Sequence, residues 1–111
     1  MKKLFAVLSL SALASTAAWA GEWTGYISDE KCASASAKAK SAAEWIKPAA
    51  FEGCVKTCVK QGSAVVFVTE DNHLYKIDAD SMSKVMPQLG HKVVVSGTID
   101  GGTIKIDSIK N

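Results

Sequence analysis

The sequence contains no arginine and only two histidines, and both shortages limit the functions it can have. Arginine supplies the planar guanidinium group that recognises phosphates and guanine through paired hydrogen bonds, so its absence argues against a nucleic-acid partner. The histidines, His73 and His91, open two predicted strands and form no catalytic set, and no G-x-S-x-G or H-E-x-x-H motif is present. We therefore expect a protein that is not an enzyme.

The chain also lacks an apolar run long enough to span a membrane. The apolar stretch at residues 4–13 is shorter than the roughly 20 residues that a transmembrane helix needs. It follows Lys2 and Lys3 and precedes the small-residue sequence Ala18-Trp19-Ala20, an arrangement typical of a secretory signal peptide cleaved after Ala20. We expect residues 1–20 to be removed and residues 21–111 to form a single periplasmic or secreted domain.

The expected mature chain has no excess of either charge. Lys2 and Lys3 leave with the signal peptide, so eleven lysines balance eleven acidic residues. The residue after the cut is Gly21 rather than the cysteine of a lipid-anchored protein, and no basic cluster is present to hold an anionic membrane. We therefore expect no membrane anchor, and a partner that is a small ligand or another exported protein.

Alternating and β-branched residues predict five strands, at residues 22–28, 64–69, 74–78, 92–99 and 103–109. A helical insert at about residues 31–61 separates the first two strands. A short helix, from Met82 towards Leu89, separates the third from the fourth. The order β-α-α-β-β-α-β-β predicts a mainly β, α+β fold, the five-stranded Greek-key barrel called the OB-fold. The alternative is a split sheet with helices on one side.

The two halves of the insert differ in character. Residues 31–46 are rich in Ala, Lys and Ser and predict an exposed helix or a mobile segment that stops at Pro48. The second half has a regular helical face with Gly62 placed to end it in a left-handed cap. The residues of that face are Phe51, Cys54, Val55, Cys58 and Val59.

The three cysteines, Cys32, Cys54 and Cys58, allow three interpretations. Cys54 and Cys58 share a helix face and could join Cys32 in holding a thiophilic metal ion such as zinc or copper, with His73 or His91 completing the set. Alternatively, Cys32 forms a disulfide with one of the other two, because a bond within one helix has poor geometry. Such a bond would contribute roughly 3 kcal/mol. In the third interpretation, the helix cysteines are small core residues.

Aromatic residues suggest a ligand-binding face. We expect Trp23 and Trp45 to anchor the core, whereas Tyr26 and Tyr75 are candidate ligand-binding residues, because OB-type barrels bind oligomers on one strand face. The sequence therefore predicts a periplasmic binding or accessory domain, without a cofactor, for a small ligand, peptide or glycan. The alternative is a thiol-based metal-binding or redox-responsive envelope protein built on the three cysteines.

Three motifs resemble those of a family of small exported bacterial domains with OB-like barrels. They are Gly25-x-Ile27-x-Asp29-x-x-Cys32, Cys54-x-x-x-Cys58-x-x-x-Gly62-Ser63 and Leu89-Gly90-x-Lys92-Val93-x-Val95-x-Gly97. The resemblance covers most of residues 21–111 and implies the fold and export rather than an activity. Members of the family often carry a glycine and then a histidine shortly after the first cysteine, where this chain has Ala33-Ser34-Ala35.

Overall fold

The computed structural model describes residues 18–111, and most of the predicted signal peptide, residues 1–20, lies outside the described residues. The strands are β1 Ala18–Asp29, β2 Val65–Thr69, β3 Leu74–Ile77, β4 Lys92–Asp100 and β5 Thr103–Lys110. The α-helices are α1 Glu30–Ala35, α2 Pro48–Lys60 and α3 Met82–Val85, and single 3-10 turns lie at Ala42–Glu44, Ala79–Ser81 and Met86–Gln88. Within residues 18–111, no helix is both long and apolar enough to cross a membrane.

The five strands close into a barrel in the order β1-β2-β3-β5-β4. β3 and β5 pair in parallel, and the other neighbouring strands pair antiparallel. The closed mixed barrel, with α1 and α2 between β1 and β2 and with α3 between β3 and β4, confirms the predicted mainly β, OB-like α+β fold. The split-sheet alternative is wrong, because one sheet closes on itself.

Strand register determines which side chains face the barrel interior. Ile27 pairs with Phe67, and Phe67 pairs with Tyr75, so these three residues lie on the inner side of the sheet. Ile27 and Phe67 are completely buried, and β4 alternates buried with less buried positions along its length. Tyr26, one residue from Ile27, therefore points to the outer side of β1.

The insert covers part of the outer side of the barrel. Helix α1 packs against β1 and β2, and helix α2 packs against β1. Tyr26 contacts the ring of Phe51 of α2 edge-on, with the ring centroids 6.0 Å apart. All five residues of β2 are buried, as the dense β-branched run predicts for a strand covered on both faces.

The first half of the insert differs from its prediction. Residues 31–46 form most of the short α1 and then a turn region rather than one exposed helix, and Ala33 and Ala42 are buried. Pro48 follows this segment and is also the first residue of α2. Its missing N–H and fixed φ are compatible with a helix start. The predicted helical face and the left-handed Gly62, with φ +104°, are confirmed.

The link between β3 and β4 is also less regular than one helix. Helix α3 has only four residues, and the chain continues as a 3-10 turn that contains Pro87. Gly90 follows with φ +78°, and its backbone lies so close to α2 that a Cβ there would collide with the Cα of Glu52. Gly90 also donates a 2.7 Å hydrogen bond to the carbonyl of Ile27. This link therefore fixes α2 against the barrel.

Candidate metal centre

The three cysteine side chains meet at one place on the insert. Their Sγ atoms all lie within 4.8 Å of one another, and the Sγ atoms of Cys32 and Cys54 are 3.7 Å apart. Cys32 comes from α1, whereas Cys54 and Cys58 are one turn apart on the same face of α2. Cys54 is exposed and the other two are half-buried, so the cluster lies at the surface.

Asp29 positions Cys32. This last residue of β1 is the N-cap of α1, and its Oδ2 accepts a 3.0 Å hydrogen bond from the backbone N–H of Cys32. The carboxylate thus fixes the first turn of α1, which is only six residues long. Without such a cap, a helix this short would have little stability of its own.

Ser63 ties the end of α2 to the start of α1. The left-handed Gly62 reverses the chain after α2, and the Ser63 N–H donates to the carbonyl of Cys58. The Ser63 hydroxyl donates to Asp29 Oδ2 at 3.2 Å and accepts from the Lys31 N–H at 3.1 Å. One serine therefore links the element that carries Cys58 to the elements that carry Cys32.

Asp29 also influences the thiols electrostatically. Its side chain is completely buried, and its Oδ1 has no hydrogen-bond partner among residues 18–111. Burial, the Asp29 carboxylate and the Cys54 thiol together raise the pKa of the Cys32 thiol to about 12, with burial the largest cause. Burial likewise raises the pKa of Cys58, again with the Asp29 charge adding to the effect. Reactive redox cysteines have lowered pKa values, so these two thiols lack that property.

The sulfur geometry fits a thiophilic metal ion. A tetrahedral ion with metal–sulfur bonds of about 2.3 Å has its sulfur ligands about 3.8 Å apart. The 3.7 Å between Cys32 and Cys54 matches this spacing, and Cys58 completes a triangle of three soft ligands. Among residues 18–111, the cysteines are the only group of three or more candidate ligands with this proximity.

Neither histidine belongs to this cluster. The Nε2 of His91 lies 3.3 Å from a carboxylate oxygen of Glu52, and the ring of His73 stacks on Tyr75 at 4.5 Å. Glu52 in turn bonds to Lys56, which lowers its pKa, with His91 contributing further. The expectation that His73 or His91 completes the ligand set is therefore not met by their positions.

The disulfide expectation is corrected by the structure, in which all three cysteines are free thiols. The closest sulfur atoms, those of Cys32 and Cys54, are 3.7 Å apart, whereas a disulfide holds them at about 2.05 Å. The buried-core interpretation of Cys54 and Cys58 also fails, because Cys54 is exposed and Cys58 only half-buried. The apolar positions of the helix face that are buried are Phe51 and Val55.

A cavity of about 290 Å³ opens beside two of the three thiols. Cys32 and Cys54 form part of its wall, whereas Cys58 does not. The rest of the wall is mainly apolar and aromatic, and Ser36 and Lys47 supply its polar part. The apolar wall consists of Ala35, Trp45, Ala50 and Phe51.

A second cavity of about 340 Å³ lies at the β2–β3 end of the barrel. Tyr75 and Trp23 contribute to its wall together with Thr24, Thr69, Glu70, Asp71 and His73. Tyr26 is not part of it, because this side chain lies on the outer side of β1 beneath Phe51. The two tyrosines that the sequence suggested as one ligand-binding pair are therefore in different environments.

No family model, curated protein or solved structure matches this chain significantly. Two residues of the site, Asp29 and Ser63, had no role in the sequence interpretation although both occur in its motifs. The spacing Asp29-x-x-Cys32, an acidic residue three positions before the first helical cysteine, is the capping pattern that marks a helix start. That signal was available in the sequence and identifies the residue that holds Cys32.

Proposed function

We propose that this protein binds a single thiophilic metal ion through Cys32, Cys54 and Cys58. The observation that carries the proposal is the meeting of three Sγ atoms within 4.8 Å from two separate helices. Thiolates select soft or borderline ions, such as copper(I) and zinc(II), over the hard ions calcium and magnesium. The surface position of the cluster gives such an ion direct access from solvent.

The number of ligands favours a carrier or accessory role over a structural one. Structural zinc sites are closed by four protein ligands, whereas a site with three protein ligands leaves a position for an external group. The metal displaces the thiol protons on binding, because thiolates are the ligands. The role that we propose is non-enzymatic metal handling.

We place this function in the cell envelope, on the basis of the signal-peptide pattern at residues 1–20. Membership of the family of small exported OB-like domains is part of the same proposal and rests on the cysteine and glycine motifs. The partner is then the donor or acceptor of the metal, a small thiol compound or another exported protein.

The test is a titration of the reduced, metal-free protein with zinc(II) and with copper(I), against a competing chromophoric chelator. We expect one ion per chain and a loss of affinity of at least about tenfold for Cys32→Ser, Cys54→Ser and Cys58→Ser, because each removes one of three ligands. Thr57→Ala, an exposed change on α2 between the two helix cysteines, is the matched control and should bind as wild type does. Equal affinity of the Cys58→Ser protein and wild type would contradict the three-thiolate site.

The cavity at the barrel end supports a second candidate, the binding of a small ligand, peptide or glycan. Its Trp23 and Tyr75 rings can stack on a sugar face, while Glu70 and Asp71 can accept hydrogen bonds from hydroxyl groups. A panel of short neutral oligosaccharides and peptides, followed by tryptophan fluorescence, tests this role. Binding that Tyr75→Ala abolishes and Tyr26→Phe preserves would support it, and binding unaffected by Tyr75→Ala would contradict it.

A further inference from the structure

The cavity beside the thiols is lined by two of the three cysteines. Cys32 and Cys54, whose Sγ atoms are 3.7 Å apart, both form part of its wall, and Cys58 lies outside it. The binding of a bare metal ion does not require an apolar cavity next to its ligands. An atom that binds two thiols and also carries an apolar group would use both features together.

We propose that Cys32 and Cys54 capture trivalent arsenic that carries one aryl or other apolar group, with that group held in the cavity. The inference rests on the proposed function, since it uses two thiols of the same cluster. It adds a class of ligand, the monosubstituted organoarsenicals, and gives Cys32 and Cys54 a role that Cys58 does not share. An arsenic atom with one carbon substituent has two positions left for sulfur, which matches the two thiols in the wall.

The capture step is a condensation without change of oxidation state. An arylarsonous acid, written R–As(OH)₂, reacts with the Cys32 and Cys54 thiols. Two As–O bonds break and two As–S bonds form, giving R–As bonded to both sulfurs. The two thiol protons leave with the two hydroxyl groups as two molecules of water, so no oxidant or reductant is needed.

The cavity has the size and lining for an aromatic substituent. An apolar cavity of about 150 Å³ holds benzene, and this cavity measures about 290 Å³. Trp45 and Phe51 already meet edge-to-face, with ring centroids 5.9 Å apart, and such aromatic walls favour a third ring. Lys47 lies in the lining, and its apolar stem can cover an inserted ring while its ammonium remains in solvent.

The first experiment uses the reduced full chain and phenylarsine oxide, which hydrates to the arylarsonous acid. We expect a one-to-one adduct by intact mass, with Cys58 alkylated afterwards by iodoacetamide and with Cys32 and Cys54 protected. Cys58→Ser should keep the adduct, whereas Cys32→Ser and Cys54→Ser should lose it. Protection of Cys54 and Cys58 instead, the pair on one helix of which Cys58 lies outside the cavity, would overturn the inference.

A second measurement tests the cavity apart from the thiols. Affinity for phenylarsonous acid should exceed that for methylarsonous acid by on the order of tenfold or more, because the larger group buries more apolar surface. Ala50→Leu, which adds bulk to the cavity wall one helical turn before Cys54, should remove this preference while the methyl compound is still captured, and Trp45→Ala should also remove the preference. Tyr75→Ala, in the other cavity, is the control and should retain it.

The outcomes separate this inference from the function on which it rests. If zinc(II) binds through all three cysteines but phenyl and methyl compounds bind equally, the metal site stands and the inference fails. If zinc(II) does not bind and the phenyl compound is not captured, both fail. If Ala50→Leu leaves the phenyl preference unchanged, the substituent lies elsewhere and the inference fails.

Discussion

The indole Nε1 of Trp45 donates a 2.7 Å hydrogen bond to the side-chain oxygen of Asn72, in the turn between β2 and β3. The amide nitrogen of Asn72 donates in turn to the carbonyls of Ser36 and Ala39, both at 2.9 Å. Asn72 has φ +64°, a left-handed conformation that asparagine tolerates better than most residues. One barrel residue therefore holds the first half of the insert, and with it a wall of the cavity beside the thiols.

Asn72→Gly should lower the free energy of unfolding by about 1–3 kcal/mol, because it removes three hydrogen bonds and leaves the indole N–H without this acceptor. Asn72→Ala should cost about 1 kcal/mol more, since alanine also resists the positive φ. Urea unfolding measures both variants, and hydrogen exchange should show lost protection in residues 36–46. Equal stability of the two variants would mean that the backbone conformation contributes nothing.

Gly90→Ala should destabilise the protein by about 1–3 kcal/mol or more, because the residue has φ +78° and its Cβ would collide with the backbone of Glu52. Gly53→Ala is the matched control on α2, where an added Cβ meets nothing in the described residues beyond the helix backbone around it. This second change should raise stability by about 0.5–1 kcal/mol through helix propensity. Urea unfolding distinguishes the two, and a neutral Gly90→Ala would contradict the close approach of α2 to the β3–β4 link.

The metal-free, reduced protein should lose stability in alkaline solution. The folded state holds the Cys32 pKa at about 12, above the ordinary value of 9.0, so the unfolded chain releases this proton first. The stabilisation is therefore complete below pH 9.0 and declines as the pH rises towards the folded pKa. Cys32→Ser should show a flatter decline in urea unfolding above pH 9.0. A parallel decline in both proteins would contradict the raised pKa.

Tyr26→Ala and Tyr75→Ala should differ in their effect on stability. Tyr26 packs edge-on against Phe51 under the insert, so its loss should cost roughly 0.5–1.5 kcal/mol for the aromatic pair alone, beyond the lost apolar contact. Tyr75 lies in the wall of an open cavity and should matter less for folding. Thermal unfolding of the two variants tests this difference, and a larger loss of stability for Tyr75→Ala would contradict it.

The strands and the second helix could be predicted because their signals are local. The repeat of apolar residues in α2, the glycine that ends it and the β-branched run of β2 all appear within a few consecutive residues. The meeting of Cys32 with Cys54, 22 positions later, depends on how two elements pack together, so spacing alone left three interpretations open.

Two of the differences between the prediction and the structure have a common physical cause. Tyr26 was expected at an exposed face because it is out of phase with the inward residues of β1. The outer side of that strand, however, is covered by α2, so both sides of β1 are partly buried. The composition of the Ala- and Lys-rich residues 31–46 predicted an exposed or mobile segment. Composition alone does not reveal that the side-chain amide of Asn72 holds this segment through two hydrogen bonds.

The start of β1 sets an order of events for the proposed export. Ala18, Trp19 and Ala20 pair with Asp100, Ile99 and Thr98 of β4, so the bond after Ala20 lies within a hydrogen-bonded strand of the closed barrel. Proteases cut exposed, unpaired chain far more readily than paired strands. On the proposed export route, cleavage after Ala20 therefore comes before the C-terminal strands pair with β1.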